Sequence, residues 1–365
     1  MKSLSVFLMA LLVLAVAAAQ SAENPANPKP EGPSAAGPGT HLVGVRRIWD
    51  AAPHNAFTDL IRHRDEWLCV FREGMGHVSH DGKIRVIASA DGTAWASAAL
   101  LETPDKRMPD LRDAKICHTP DGRLMLTAVA ANRKAGEERL RTYVWFSSDG
   151  QQWGDATPIG DENFWIWRVT WHKGKAYAVG YGRDGAERIA RLYTSADGRT
   201  FTPLVPRLFE AGYPNEATLR FLPDDTCLCV LRRDGKPNSA LLLAADPPYE
   251  TWSWKDLGVQ VGGPNFLRLP DGRFVAVTRR YDGGARTSLQ WLDPQKGTLT
   301  EFHRLPSGGD TSYAGLAWHG GLLWISYYSS HEGKASIYLA RVRLPAASAE
   351  AADAASPSAE AGEAR

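Results

Sequence analysis

This sequence is short of cysteine, of net charge and of helical periodicity, and each shortage excludes something. Four cysteines in 365 residues are too few for the disulfide lattice that holds small exported domains. Cys69, Cys117, Cys227 and Cys229 all fall in predicted strands. Cys227 and Cys229 alternate about Leu228 and so share one strand face, which suits small buried apolar groups better than a bridge. A Cys69–Cys117 bridge between the first two repeats stays open. The formal net charge is only +1, which gives no reason to expect nucleic acid or an anionic membrane as a partner. No His-x-x-x-His, paired-Asp loop or Cys/His spacing is present, so no metal site is expected. No phosphate-binding glycine loop and no G-x-S-x-G elbow occurs either. Chemistry free of metal and cofactor is the expectation.

Leu4–Ala18 is an apolar stretch behind Lys2, followed by small residues at Ala17, Ala18 and Ala19. That is the pattern of a secretory signal over 1–22, and the run is shorter than the ~20 residues a membrane span needs. No membrane span is therefore expected after cleavage, and the protein is expected to be secreted or periplasmic. Residues 23–40 are Pro-rich and apolar-poor, as in a flexible linker. Residues 346–365 form a low-complexity tail that is expected to be disordered. The folded part is then 41–345.

What the chain has in quantity is repetition. Six segments each carry a polar or aromatic opening, an apolar run, a tight turn and a second apolar run. They are AFTDLIRHRDEWLCVFREG (56–74), RDAKICHTPDGRLMLTA (112–128), WRVTWHKGKAYAVGYG (167–182), NEATLRFLPDDTCLCVLRRDG (215–235), GPNFLRLPDGRFVAVTRR (263–280) and SYAGLAWHGGLLWISYY (312–328). A hairpin of this kind cannot bury both faces alone, and a spacing of roughly 50 residues means stacked or radial units. The pattern predicts an all-β, six-bladed propeller whose inner strands face a common axis. HLVGVRRIW (41–49) and SIYLARVRL (336–344) both alternate as strands, and are expected to pair in the last blade and close the ring.

Between hairpins a small motif recurs: SADGTAW (89–95), SSDGQQW (147–153) and SADGRTF (195–201), with a degenerate AADPPYETW (244–252). Ser and Asp side chains bond the backbone of the turn, and Gly supplies positive φ. These copies, set among six hairpins behind a secretory signal, resemble the Asp-box (BNR-repeat) motifs of the sialidase superfamily, over roughly Asn55–Ala340. The layout also resembles uncharacterised secreted bacterial sialidase-like proteins. The resemblance implies a glycoside hydrolase with a Tyr nucleophile polarised by Glu, an Asp acid and an arginine clamp for a substrate carboxylate. On this chain those roles would fall to Tyr313 in Tyr313-Ala314-Gly315-Leu316, to Glu216 in Asn215-Glu216, and to Arg232 sixteen residues on. The acid would be Asp81, in GHVSHDGKIRV, or else His77 or His80 of the same loop in its place. The last clamp arginine would be Arg279 or Arg286. Ala56 or Phe57 stands where sialidases carry their first arginine.

Aligning the hairpins by their turns gives a reading independent of any family. Arg72, Arg232 and Arg279 end the second strands of blades one, four and five, where guanidinium forks could line a site or pair with neighbours such as Glu73 and Asp234. The blade openings add His54, Asn55, Asp59, Arg112, Asp113, Trp167, Arg168, Asn215, Glu216, Asn265, Asp310 and Tyr313. Polar openings on apolar strands face water or a ligand, and Trp167 could stack on a sugar or sit in the core. The functional expectation is a monomeric, glycan-active hydrolase on a possibly anionic sugar. Its catalytic set is Tyr313, Glu216 and either Asp81 or Asp113. Its substrate contacts are Arg232, Arg279, Arg72, Arg112, Arg168, Asn55, Asn215, Asn265 and Trp167. A non-catalytic carbohydrate-binding propeller and a lyase acting on uronic-acid glycans are the alternatives.

Overall fold

The computed structural model describes residues 39–346. The predicted signal, most of the predicted linker and nearly all of the predicted tail lie outside the described residues. Within them every regular element is a strand, and the 24 strands form six four-stranded antiparallel sheets. The architecture is the expected all-β, six-bladed propeller. Blades 1 to 5 are runs of four consecutive strands. Blade 6 takes its outermost strand from the start of the chain: His41–Trp49 pairs antiparallel with Ser336–Arg343.

The second strand of each blade is buried on both faces, which is why it reads as a continuous apolar run. Leu124–Asn132 is buried along all but its last residue. Each pair of neighbouring blades shares its own apolar core, and six such clusters close a circle. Leu68, Val70 and Ile84 of blade 1 meet Leu126, Ala128 and Tyr143 of blade 2. Trp67 and Phe71 of blade 1 meet Trp324 and Tyr328 of blade 6 at the closure. The Ser-x-Asp-Gly turns staple these joints. Asp91 Oδ1 accepts the Thr93 and Ala94 amides, and Ser89 Oγ accepts the Gly92 amide. A Cβ on Gly92 would lie 2.4 Å from Trp324 of blade 6, and one on Gly150 would lie 2.6 Å from Leu68 of blade 1. All four cysteines are free, so the Cys69–Cys117 bridge is not formed.

All six inner strands carry a bulge at the same place. Two residues oppose one between Ala56 and Asp59, Arg112 and Lys115, Ile166 and Val169, Pro214 and Ala217, Gly262 and Asn265, and Ser312 and Gly315. Bulges re-aim side chains. Four of the first bulged residues have positive φ: Phe57 (64°), Asp113 (56°), Gly263 (55°) and Tyr313 (52°). For non-glycine residues that is a strained backbone, here repeated around one ring.

Candidate active site at the propeller axis

The bulges converge on Tyr313. Phe57 of blade 1 packs edge-on against its ring at 5.2 Å, and Trp167 of blade 3 does so at 5.8 Å. Gly263 of blade 5 lies so close that a Cβ there would be 2.7 Å from Tyr313 Cγ. Residues separated by up to 256 positions in sequence thus become one wall.

The Tyr313 hydroxyl donates to Glu216 Oε1 at 2.7 Å. Glu216 Oε2 accepts the Gly263 amide at 2.7 Å and Arg232 Nη1 at 2.9 Å. Arg232 Nη1 also reaches Tyr313 Oη at 2.9 Å, while Arg232 Nε is held by Asp234 at 2.8 Å. The Arg279 guanidinium lies 5.1 Å over the Tyr313 ring and donates to Thr311 O, Asp310 Oδ1 and the Tyr328 hydroxyl. Burial pushes the Tyr313 hydroxyl well above an ordinary phenol, and Glu216 adds to it; Arg232 and Arg279 act in the opposite sense. Tyr313 is therefore a neutral phenol whose proton already points at a carboxylate.

Two of the three expected axis arginines meet here, and the third does not. Arg72 is fully buried, with Nε on Asp110 Oδ1 at 2.7 Å, Nη1 on Gly76 O at 2.8 Å and Nη2 on Ser79 Oγ at 2.7 Å. It pins a loop and presents no donor to a ligand. Relative to the bulge, Arg72 and Arg279 hold the same rung, opposite Ala56 and Gly262. Both reach the acidic residue that opens the next blade, and only Arg279 has Tyr313 beneath it. Arg286 lies on an outer strand, tied to Glu301 at 2.9 Å and to Asp282.

The expected acids separate as well. Asp113 is buried, with Oδ2 3.2 Å from Arg112 Nε and Oδ1 without a partner. Its charge acts on Tyr313. Asp81 caps its own loop through the Met75 amide at 3.1 Å. Burial opposes ionisation there, but bonds from Ser79 and Met75 outweigh it and lower the carboxyl. From the same loop it is His77 that reaches the axis, edge-on to Phe57 at 5.1 Å and 2.6 Å from Asp310. His80 instead lines an open cleft with Lys106, Arg107 and Arg139, which shares no residue with the Tyr313 cluster.

Several blade-opening residues expected to meet substrate are taken up by the fold. Asn55 bonds Ala52 O and Ala335 O, and Asn265 bonds Ala314 O and Arg220. Arg168 Nη1 binds Asp59 at 2.6 Å. Arg112 bonds Asp110, Asp113 and His77 O, and its guanidinium caps the Phe57 ring at 4.7 Å. Asn215 donates to Asp234 at 2.6 Å and so steadies the partner of Arg232. Trp167 is 2% exposed and belongs to the core, under Lys115 Nζ at 4.7 Å. Sequence reasoning missed Tyr328, which donates to Asp310 at 2.6 Å. Its signal is positional: opposite Ser312, it holds the rung that Arg72 and Arg279 hold in their blades. Lys115 was missed because a buried lysine looks like an exposed one in sequence.

No protein-family model matches this chain, and no curated protein matches it. Solved structures do. A Dyadobacter fermentans protein of unknown function superposes with a TM-score of 0.74 at 20% identity, over 84% of this chain and 100% of that one. The GH93 α-L-arabinofuranosidase of Fusarium graminearum, solved with arabinobiose, gives 0.67 at 15% identity, over 83% and 98%. Trypanosoma rangeli sialidase, solved with the inhibitor DANA, gives 0.61 at 13% identity, over 84% of this chain and 60% of that chain. At such identities the likeness is one of fold, and the fold is the six-bladed propeller.

Proposed function

We propose that this chain is an exported, glycan-active glycoside hydrolase with Tyr313 as its nucleophile. One observation carries the reading: the Tyr313–Glu216 hydrogen bond of 2.7 Å, closed by Arg232 at 2.9 Å from both, at the axis of the propeller. Tyr313 Oη attacks the anomeric carbon while its proton passes to Glu216 Oε1. The bond from that carbon to the leaving oxygen breaks, and the leaving oxygen takes a proton from Asp113, the expected acid whose charge acts on Tyr313. Water then attacks the glycosyl-tyrosine, giving its proton to Asp113, and Glu216 returns a proton to Tyr313. Of the expected substrate contacts, Arg232 and Arg279 are the ones suited to it. Arg232 Nη2 and Arg279 Nη1 make no hydrogen bond to the described residues, and these two corners suit a carboxylate or vicinal hydroxyls. The fold's relatives include proteins solved with arabinobiose and with sialic acid, which fits a sugar at this mouth.

The test is a panel of chromogenic aryl glycosides that includes sialosides and arabinofuranosides. Tyr313→Phe and Glu216→Gln should each lower turnover by a factor on the order of 10²–10⁴, measured on protein that circular dichroism shows to be folded at the assay temperature. Glycans retained on an array without release of sugar by the unaltered protein would instead make the propeller a binding module.

A further inference from the structure

Three side chains meet on the rim beside the Tyr313 cluster, and no spacing motif announces them. His54 opens the inner strand of blade 1, His77 lies in the loop after its second strand, and Asp310 precedes the inner strand of blade 6. His54 Nε2 is 3.0 Å and His77 Nδ1 2.6 Å from the same oxygen, Asp310 Oδ2. The three donor atoms all lie within 4.8 Å of one another.

Everything around the cluster fixes its aim. Asp310 Oδ1 is occupied by the Tyr328 hydroxyl at 2.6 Å and Arg279 Nη2 at 3.1 Å, which leaves Oδ2 as a single acceptor. The His77 ring stands edge-on to Phe57, and its carbonyl accepts Arg112 Nη1 at 3.2 Å. The His54 ring packs 6.3 Å from both Phe57 and Tyr328. Both nearby arginines are thus turned to other atoms, on the far oxygen and on the loop carbonyl. His54 Nδ1 is buried without a partner, so nothing else in the fold sets the tautomer of that ring. Two neutral imidazoles can share one carboxylate oxygen only if each keeps its proton on the nitrogen facing it. A divalent ion replaces both protons with bonds.

We infer that His54, His77 and Asp310 bind one divalent transition metal at the mouth of the axis, with Zn²⁺ as the natural probe. Two imidazole nitrogens and one carboxylate oxygen are a donor set for zinc with an open fourth position. Bonds of about 2.0–2.1 Å in a tetrahedral arrangement put the donors about 3.3 Å apart, so the two short edges need open by less than an ångström. Tyr328 and Arg279 then serve as the outer groups that orient the carboxylate. The side chains of His77 and Asp310 are 48% and 26% exposed, so the open position faces solvent and takes water or an oxygen of a bound ligand.

Metal binding is tested without reference to any activity. Untagged full-length protein is stripped with a chelator and dialysed against micromolar Zn²⁺ or Co²⁺, and its metal content is measured by mass spectrometry. About one equivalent per chain is expected, with a rise in thermal midpoint on metal addition. His77→Ala, a half-exposed loop change, should weaken retention at least tenfold and abolish that rise, and Asp310→Asn should do the same. His63→Ala, at the His63–His118 contact of 3.2 Å at the other end of the strand that His54 opens, should change neither. No retained metal, or retention equal in His77→Ala and the unaltered protein, overturns the site.

Discussion

Tyr313 Oη and Glu216 Oε1 stand 2.7 Å apart across 97 residues of chain, and the blade between them contributes no side chain to their contact. Blade 5 passes at Gly263, whose amide binds the other Glu216 oxygen at 2.7 Å. Its missing side chain leaves room for the Tyr313 ring, since a Cβ there would lie within 3.0 Å of Tyr313 Cγ, Cδ2 and Cα. A backbone φ of 55° at Gly263 is a second reason for glycine at that position.

Gly263→Ala should therefore displace Tyr313, the proposed nucleophile, while the blade still forms. The nearest atoms include Tyr313 main chain, so the ring cannot simply rotate away. A shift on the order of 1 Å in a catalytic group costs about 10²-fold in rate, whereas the positive φ alone costs about 1–2 kcal/mol of stability. The expected result is a loss in kcat far larger than the loss in unfolding free energy suggests. Wild-type turnover in a folded Gly263→Ala protein would mean that the Tyr313 position is not used in catalysis.

The six hairpins were legible because a doubly buried strand writes itself as an apolar run, and a turn writes itself as Pro-Asp-Gly or His-Gly-Gly. The closure of 41–49 on 336–344 was legible for the same reason. Glu216, Tyr313 and Arg232 were placed by their positions in blades 4 and 6 together with the superfamily resemblance. The bulges were not legible. An added residue leaves no compositional mark except in blade 5, where Gly263-Pro264 interrupts the pattern. Nor could sequence tell which polar openings the backbone would consume: Asn55 and Asn265 bond carbonyls at Ala335 and Ala314, which come from another blade. Arg72 and Arg279 look alike in their repeats and share a rung, and only the loop over Arg72 separates a structural fork from one beside Tyr313. His77 and Asp310, 233 residues apart, share no local pattern at all.

Arg72 supplies a test of that separation. Its guanidinium is buried with Asp110 and holds the loop that carries His77. Arg72→Met leaves Asp110 with Arg112 Nη1 at 3.2 Å as its remaining cationic partner. Breaking a buried ion pair from one side costs about 3–5 kcal/mol, so the urea midpoint should fall steeply. A substrate-binding arginine would instead raise KM and leave the midpoint in place, and that outcome would restore Arg72 to the site.

Lys115 makes a prediction about pH whose sign is opposite to the usual one for a paired lysine. Its ammonium is buried beneath the mouth, donating to Thr58 O at 3.3 Å and Ala114 O at 3.1 Å over the Trp167 ring. Burial, with Arg168 adding to it, pushes its pKa down to about 8, and Asp59, Asp113 and Glu216 only partly restore it. Between about pH 8 and 10.5 the unfolded chain keeps a proton on this lysine that the folded chain has lost. Stability from this group therefore rises with pH across that window, and the full penalty is present below it. A depression from 10.5 to about 8 corresponds to a cost on the order of 3 kcal/mol at neutral pH. Lys115→Met replaces the ammonium with an apolar chain of similar length and leaves Asp59 paired with Arg168 at 2.6 Å, a change of the kind that is often stabilising. The variant should be more stable than the unaltered protein at pH 7, and its advantage should shrink as pH climbs from 8 to 10.5. Taking the difference between the two proteins cancels the buried thiols and phenols, which titrate in both. Chemical denaturation at four or five pH values measures it, and a difference that stays flat from pH 7 to 10.5 would show that Lys115 keeps its proton throughout.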